Sequence, residues 1–326
     1  MAAGYQALRR GAGWFDVSRR GRIRAAGDDR LRLLHALATN SIESLSPGQG
    51  TETFFLSAQG RIQARVRVYV SDQEVLLETD QERTQTLLDY LSRFIIMDDV
   101  TLAEISQQAA AVAVEGPEAP KAAAQALGAE VPAAPHGHLA HGDIQIFHSA
   151  LTGDEGLWIA APPARRQELI AALEQAGAVA AEEADVHAAR VANLRPQFGV
   201  DYFDTNIPQE TQQLDIVSFR KGCYIGQEIV ERVRSQGQVN KLLTPLRIDG
   251  NKIPESAAVM FEGKAVGEAT SLALLPDKGA VGGFAIVRRA AATPGAEVEV
   301  GGRPARVLAW PAERTFISAP PAAATP

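Results

Sequence analysis

The run Arg61–Val70, RIQARVRVYV, alternates residue by residue over its whole length. Ile62, Ala64, Val66, Val68 and Val70 fall on one face, and Arg61, Gln63, Arg65, Arg67 and Tyr69 on the other. A side-chain period of two belongs to an extended strand, so this segment is a strand with one apolar and one polar face. Its surroundings complete the unit. Thr51–Ala58 reads as a strand, Gln59-Gly60 as a turn and Glu74–Thr79 as a third strand. Gln81–Ile96 reads as an amphipathic helix with Leu87, Leu88, Leu91, Phe94 and Ile95 as its stripe. Asp28–Leu37 reads as an earlier helix, with Leu31, Leu34 and His35 on one face, and Val100–Ile105 as a returning strand.

A similar order recurs. Ala110–Val114 is a strand, Gly116-Pro117 a break and Glu118–Leu127 a helix; strands at Ile144–Phe147 and Leu157–Ala160 precede a helix over Pro163–Ala176. Antiparallel strands with helices on one side define an α+β fold rather than a doubly wound sheet. From about Lys241 the texture changes to short strands between Gly and Pro turns: Leu246–Ile248, Ala265–Ala269, Gly282–Val287, Glu297–Val300 and Ala305–Leu308. Helical periodicity is weak there, which reads as a small all-β barrel or sandwich. The expected division is a region of two interleaved α+β lobes over 1–240, a β-barrel domain over 241–317, and a Pro/Ala-rich disordered tail over 318–326. A chain of 326 residues accommodates two or three such domains.

Composition removes several classes of function. Hydrophobic residues are 46% and charged residues 22% of the chain, as in soluble globular proteins. The net charge of −7 disfavours bulk RNA or DNA binding while leaving room for a local basic patch. Cys223 is the one cysteine, so no internal disulfide forms, which fits a reducing, cytoplasmic setting. No run approaches the ~18 apolar residues of a membrane span, and Met1–Val17 lacks the apolar core of a secretory signal. His136, His138 and His141 crowd a Pro/Gly-rich stretch that reads as a flexible loop; with no completing ligands, no stably bound metal is expected. A lone cysteine cannot hold an iron–sulfur cluster, which takes four ligands.

The most informative stretch is IVSFRKGCYIGQEIVERVRSQGQVN, residues 216–240. Ile216–Phe219 reads as a short strand, Arg220–Cys223 as a basic turn, and Gly226 onward as a helix with Ile229, Val230 and Val233 on its buried face, stopped by Gly237. Cys223 therefore stands before a helix N-terminus and two residues after Lys221, both of which favour thiolate. Equally, it is a small residue in a strand-to-helix turn. Arg220, Lys221, Arg232, Arg234 and Lys241 give this region a basic cast.

Lys221-Gly222-Cys223-Tyr224-Ile225-Gly226-Gln227-Glu228 resembles the K-G-C-Y-x-G-Q-E signature of the YgfZ family, within the aminomethyltransferase (glycine-cleavage T-protein) superfamily. Gly13–Ser18, Ala38–Ser41, Gly48-Gln49 and Gly60–Ile62 resemble the N-terminal part of that superfamily, Ile207–Glu210 the segment leading into the signature, and Gly267–Ser271 its C-terminal barrel. The resemblance implies three lobes in a ring, two of them α/β and the third a small β-barrel, around a pocket for tetrahydrofolate or a derivative. It further implies an accessory role toward iron–sulfur client enzymes or assembly proteins, with Cys223 as the functional thiol. Effects on tRNA would run indirectly, through the enzymes that modify it. The motif residues would be Lys221, Gly222, Cys223, Tyr224, Gly226, Gln227 and Glu228, and the folate-binding candidates Arg61, Arg65, Arg67, Arg190 and Tyr224.

Two departures argue against glycine-cleavage chemistry. The T-protein relatives carry an acidic pair where Ala64 and Arg65 stand here. That acid stabilises positive charge developing at the folate amine, and a cation in its place opposes it. Two like charges ~4 Å apart at an effective dielectric near ~20 repel by about 4 kcal/mol, roughly a thousandfold in rate, unless another carboxylate takes the acid's place. In addition, Arg190-Val191-Ala192-Asn193-Leu194 matches the R-L-E-A-G segment whose glutamate holds the pterin ring; Ala192 replaces that glutamate and Leu194 a glycine. The competing readings are a folate-dependent one-carbon transferase, aminomethyltransferase-like or a demethylase, and a tRNA-binding accessory protein. On their shared strand face, Arg61, Arg65 and Arg67 are either a solvated polar surface or a receptor for a carboxylate such as the folate glutamate tail.

Overall fold

The computed structural model describes residues 3–153, 155–237 and 239–311. The expected tail over 318–326 lies outside the described residues. The chain forms two compact units. The first comprises residues up to Phe55 with Gln63–Arg195; the second comprises Leu56–Ile62 with the residues from Pro196 onward.

Along the first unit run α1 (Ala3–Arg10), β1 (Gly13–Asp16), β2 (Gly21–Ala26), α2 (Arg30–Leu37), β3 (Gln49–Leu56), β4 (Ile62–Val70), β5 (Glu74–Thr79), α3 (Thr84–Ser92) and β6 (Thr101–Glu104). They are followed by β7 (Ala110–Glu115), α4 (Ala119–Leu127), β8 (His138–His141), β9 (Ile144–His148), β10 (Gly156–Ala161), α5 (Arg166–Gln175), β11 (Val179–Ala180) and α6 (Glu183–Ala192). Two sheets result, one ordered β3-β4-β5-β2-β6 and the other β11-β1-β7-β10-β9-β8. The β4–β5 hairpin turns at Ser71, whose N–H donates to the Glu74 carbonyl, and this sets Arg67 directly opposite Glu78.

Of the two readings of this polar face, a solvated surface fits only its start: Arg61 is exposed and Gln63 and Arg65 are half-buried, but the far half is covered. Tyr69 is fully buried and Arg67 nearly so. The ring of Tyr69 meets Phe147 at 4.6 Å, His138 at 5.8 Å and Trp158 at 6.0 Å, and its hydroxyl accepts from the Trp158 indole. The second sheet thus lies on the far half of β4, and Arg67 and Tyr69 are inside because a strand covered on both faces keeps its alternation while losing its solvent side. His138, expected in a flexible loop, lies on β8, donates from Nε2 to the Val70 carbonyl, and stacks on Phe147. His136 holds a left-handed backbone conformation.

Other expectations need smaller corrections. Helix α3 ends at Ser92, so Phe94 and Ile95 lie past it, and Ile96 and Met97 are almost wholly exposed. The buried stripe of α2 is Leu33, Leu34 and Leu37; His35 instead accepts through Nδ1 from the N–H groups of Ile42 and Glu43.

The second unit holds α7 (Pro208–Thr211), α8 (Gln227–Gln236) and six strands: β12 (Lys241–Ile248), β13 (Ala258–Phe261), β14 (Lys264–Leu275), β15 (Ala280–Arg288), β16 (Glu297–Val300) and β17 (Arg303–Val307). These close into a barrel in the order β12-β15-β14-β13-β16-β17. Leu242, Leu246, Ile248, Val259, Val281, Ala285, Val287 and Val300 fill its interior. The pattern reading omitted β13, a strand of only four residues. Ile216 ends a single 3-10 turn, Leu214–Ile216, and no strand follows, in contrast to the strand expected over 216–219.

Candidate functional site

In the second unit the signature run bridges from the 3-10 turn to α8. Gly226 is the N-cap of α8 with φ +82°, and Gly237 closes it with φ +65°. A Cβ on Gly226 would stand 2.6 Å from the Ser57 carbonyl oxygen and 3.1 Å from Gly60 Cα; one on Gly60 (φ +71°) would stand 2.9 Å from Ile229 Cβ. Two glycines far apart in sequence are required at one contact. Tyr224 is buried, and burial pushes its phenol well above the usual tyrosine range. Its hydroxyl has no hydrogen-bond partner among the described residues. Lys221 places its ammonium over the Tyr224 ring, 5.2 Å from the centroid. Cys223 is exposed between them. Arg234, near the end of α8, lies over Phe219 and pairs with Glu231. Gln227 is half-buried and Glu228 exposed in the first turn of α8, where an acid suits the helix dipole; nothing lies within 4 Å of a Cβ built on Gly222.

Around the signature, Gln209 is buried and donates from Nε2 to the Val230 carbonyl, seating α7 against α8. Arg61 donates to the Thr205 carbonyl, and the Ile62 N–H to the Asn206 carbonyl, so residues 204–206 are fastened to the β3–β4 turn. Asp201 is completely buried; its Oδ1 accepts from the Ser271 and Thr270 hydroxyls at 2.6 and 2.8 Å and its Oδ2 from the Gln197 N–H. The Gly267–Ser271 run thereby grips the segment before α7, where β14 also bulges between Ala269 and Ser271.

In the first unit the other candidates form an ion network. Arg65 makes a bidentate pair with Glu52, at 2.8 and 3.0 Å. Arg67 lies 3.4 Å from Glu52, pairs with Glu78 at 3.1 Å and donates to the Ala150 carbonyl. Glu78 also pairs with Arg20, which reaches Asp80. Burial opposes ionisation of Glu52, but Arg65 and Arg67 outweigh it and hold its carboxyl far below the usual carboxylate range. Arg65 is therefore not an unmatched cation at the position of the T-protein acid: a carboxylate from β3 stands against it. Arg190 is buried on α6, its guanidinium donating to the Arg195 carbonyl and lying 3.1 Å from His187 Nδ1. Leu194 adopts φ +55°, a conformation that favours the glycine of the R-L-E-A-G segment.

Sequence reasoning missed Glu52, Glu78 and Asp201. Glu78 was accessible, because counting back from the β4–β5 turn pairs it with Arg67. Nothing local marks Asp201 as buried, since its two hydroxyl partners lie some seventy positions on.

The barrel, the two-sheet unit and the glycine-locked signature turn define a protein of the T-protein fold. A solved glycine cleavage system aminomethyltransferase T from Bartonella henselae superposes with a TM-score of 0.86, covering 96% of this chain and 89% of that one at 19% identity. The chain belongs to the GCVT N-terminal domain family, whose model matches residues 1–221. An aminomethyltransferase of Rippkaea orientalis is 27% identical over 97% of this chain and 89% of its own length. A chloroplastic protein of Arabidopsis thaliana that bears a provisional transferase name is 26% identical over 88% of this chain and 67% of its own length. No helix among the described residues is long and apolar enough to cross a membrane.

Proposed function

We propose that this chain is a folate-binding accessory factor that supports iron–sulfur enzymes, including those that modify tRNA, from a reducing cytoplasmic compartment. The observation that carries the reading is the signature turn: Cys223 is exposed within the Lys221–Glu228 run, while Tyr224 beside it is buried and Gly226 is locked against Gly60. That arrangement offers a thiol to a partner from a turn of fixed shape. The Tyr224 hydroxyl, buried without a hydrogen-bond partner, fits a ligand rich in acceptors such as a folate. Arg61 and Tyr224 of the second unit and, separately, Arg190 of the first are each proposed as folate contacts in this reading. Arg65 and Arg67 would take part only by sharing their guanidinium groups with Glu52 and Glu78.

Deleting the gene and restoring either wild type or Cys223→Ser at matched protein levels tests the role. Rescue of cluster-dependent enzyme activity by wild type alone supports a functional thiol. Equal rescue makes Cys223 structural, and undisturbed activity after deletion overturns the iron–sulfur reading. A folate-dependent one-carbon transferase is the second reading. It is favoured by the Glu52 carboxylate, which offsets the charge of Arg65, and by relatives named aminomethyltransferases. Turnover of an aminomethyl or methylamine donor with tetrahydrofolate would select it.

A further inference from the structure

The open end of the β12–β15 pair carries a basic groove, which adjoins the C-terminal end of α8, opposite the end that follows the signature thiol. Its volume is about 600 Å3, and Val239, Asn240, Lys241, Arg288, Arg289 and Ala290 line it. No carboxylate is among them. Lys241 and Arg288 are direct cross-strand partners. Leu242 and Val287, next to them, point into the barrel core, so both cations stand on its outer face, and both are exposed. Like charges placed directly opposite each other on a sheet destabilise it. Here neither has an acidic partner among the described residues to offset the repulsion. Arg289 adds a third cation and is held in place: its N–H donates to the Asn240 carbonyl at 3.0 Å and its Nη1 to the Gly237 carbonyl at 2.5 Å.

An arrangement that costs the isolated fold stability is relieved by an anion lying between the two side chains. The groove is open, without aromatic side chains and without an enclosed apolar wall, so it gives a small ligand little to hold beyond screened charge. Charge-only recognition becomes effective against a polymer whose closely and regularly spaced charges carry condensed counterions, because each contact then releases one. The acidic balance of the whole chain opposes general adhesion to such a polymer, so binding would be confined to local basic surfaces such as this groove.

We propose that the Lys241–Arg288–Arg289 groove binds the phosphodiester backbone of a nucleic-acid strand without reading its sequence. Three phosphate contacts on a single strand correspond to a slope of log K on log salt near about −2, or roughly twentyfold weaker binding between 50 and 200 mM salt. The test is fluorescence anisotropy of the full chain with labelled RNA and DNA oligomers of one sequence across that salt range. Lys241→Glu/Arg288→Glu is compared with Arg247→Glu/Lys264→Glu, an equal charge reversal at exposed positions elsewhere on the barrel; circular dichroism confirms that both fold. The expected result is salt-dependent binding of both oligomers, at least tenfold weaker and with a shallower slope in the first variant, and near wild type in the second. Equal loss in the two variants, absence of salt-dependent binding by wild type, or competition by polyglutamate as strong as by polynucleotide would each overturn the proposal.

Discussion

Gly60 and Gly226, 166 positions apart, meet with the Gly226 carbonyl oxygen 3.6 Å from where a Gly60 Cβ would sit, and each has a positive φ. Neither position tolerates a side chain. Gly226→Ala imposes both left-handed strain and a clash with the Ser57 carbonyl, so it lowers stability by ~2 kcal/mol or more. Gly222→Ala, four residues earlier, meets nothing within 4 Å and leaves the melting temperature nearly unchanged. Comparing the two variants by thermal melting separates a steric lock from a general sensitivity of the signature run.

Glu52 stabilises the first unit through its ionised form. Arg65 and Arg67 depress its folded pKa below the 4.5 of an unpaired glutamate despite burial, so its contribution is complete above that value and declines as the pH falls toward the folded pKa. Glu52→Gln leaves two guanidinium groups short of a counter-charge and costs about 3 kcal/mol at pH 7. Urea titrations between pH 7 and 3 should show wild type losing stability faster than the variant on the acid side of 4.5; parallel curves would mean that Glu52 is not held ionised by its arginines.

Leu194 bears a conformation that costs a branched residue about 1 kcal/mol. Leu194→Gly therefore holds or raises stability by up to ~1 kcal/mol, whereas Leu194→Ala, which keeps a Cβ, does not. Chemical denaturation of the pair measures the difference directly.

Asp201 gathers two hydroxyls and a backbone N–H in a fully buried position. Asp201→Ala removes the carboxylate that all three donors share and costs ~3 kcal/mol, while Ser271→Ala, which removes one partner of several, costs ~1 kcal/mol. Hydrogen exchange at residues 197–203 should accelerate in the first variant far more than in the second.

The strands and helices with a clean period were legible in the sequence: β4, β5, α4 and α8 lie within a residue or two of their expected bounds, and α5 begins three residues late, after a 3-10 turn. What failed was the environment. The alternation of β4 announced two faces but could not say that a second sheet covers one of them, since that depends on residues 138–158 returning to it. The helix expected over 81–96 was overextended because Phe94, Ile95 and Ile96 continue an apolar rhythm past the point where the backbone leaves the helix. At the candidate site, residues adjacent in sequence were found together, while the partners that tune them, Glu52 for Arg65 and Thr270 for Asp201, arrive from other strands and carry no local mark.

The residues from Leu56 to Ile62 leave the first unit at the end of β3, belong to the second, and return at the start of β4. Neither unit is thus a continuous stretch of the gene. A cut between Arg195 and Pro196 would give one fragment a foreign loop and deprive the other of the same seven residues. Recombination that exchanged the barrel portion alone would have to bring a matching hairpin tip with it, so the two parts are constrained to be inherited, and to diverge, as one.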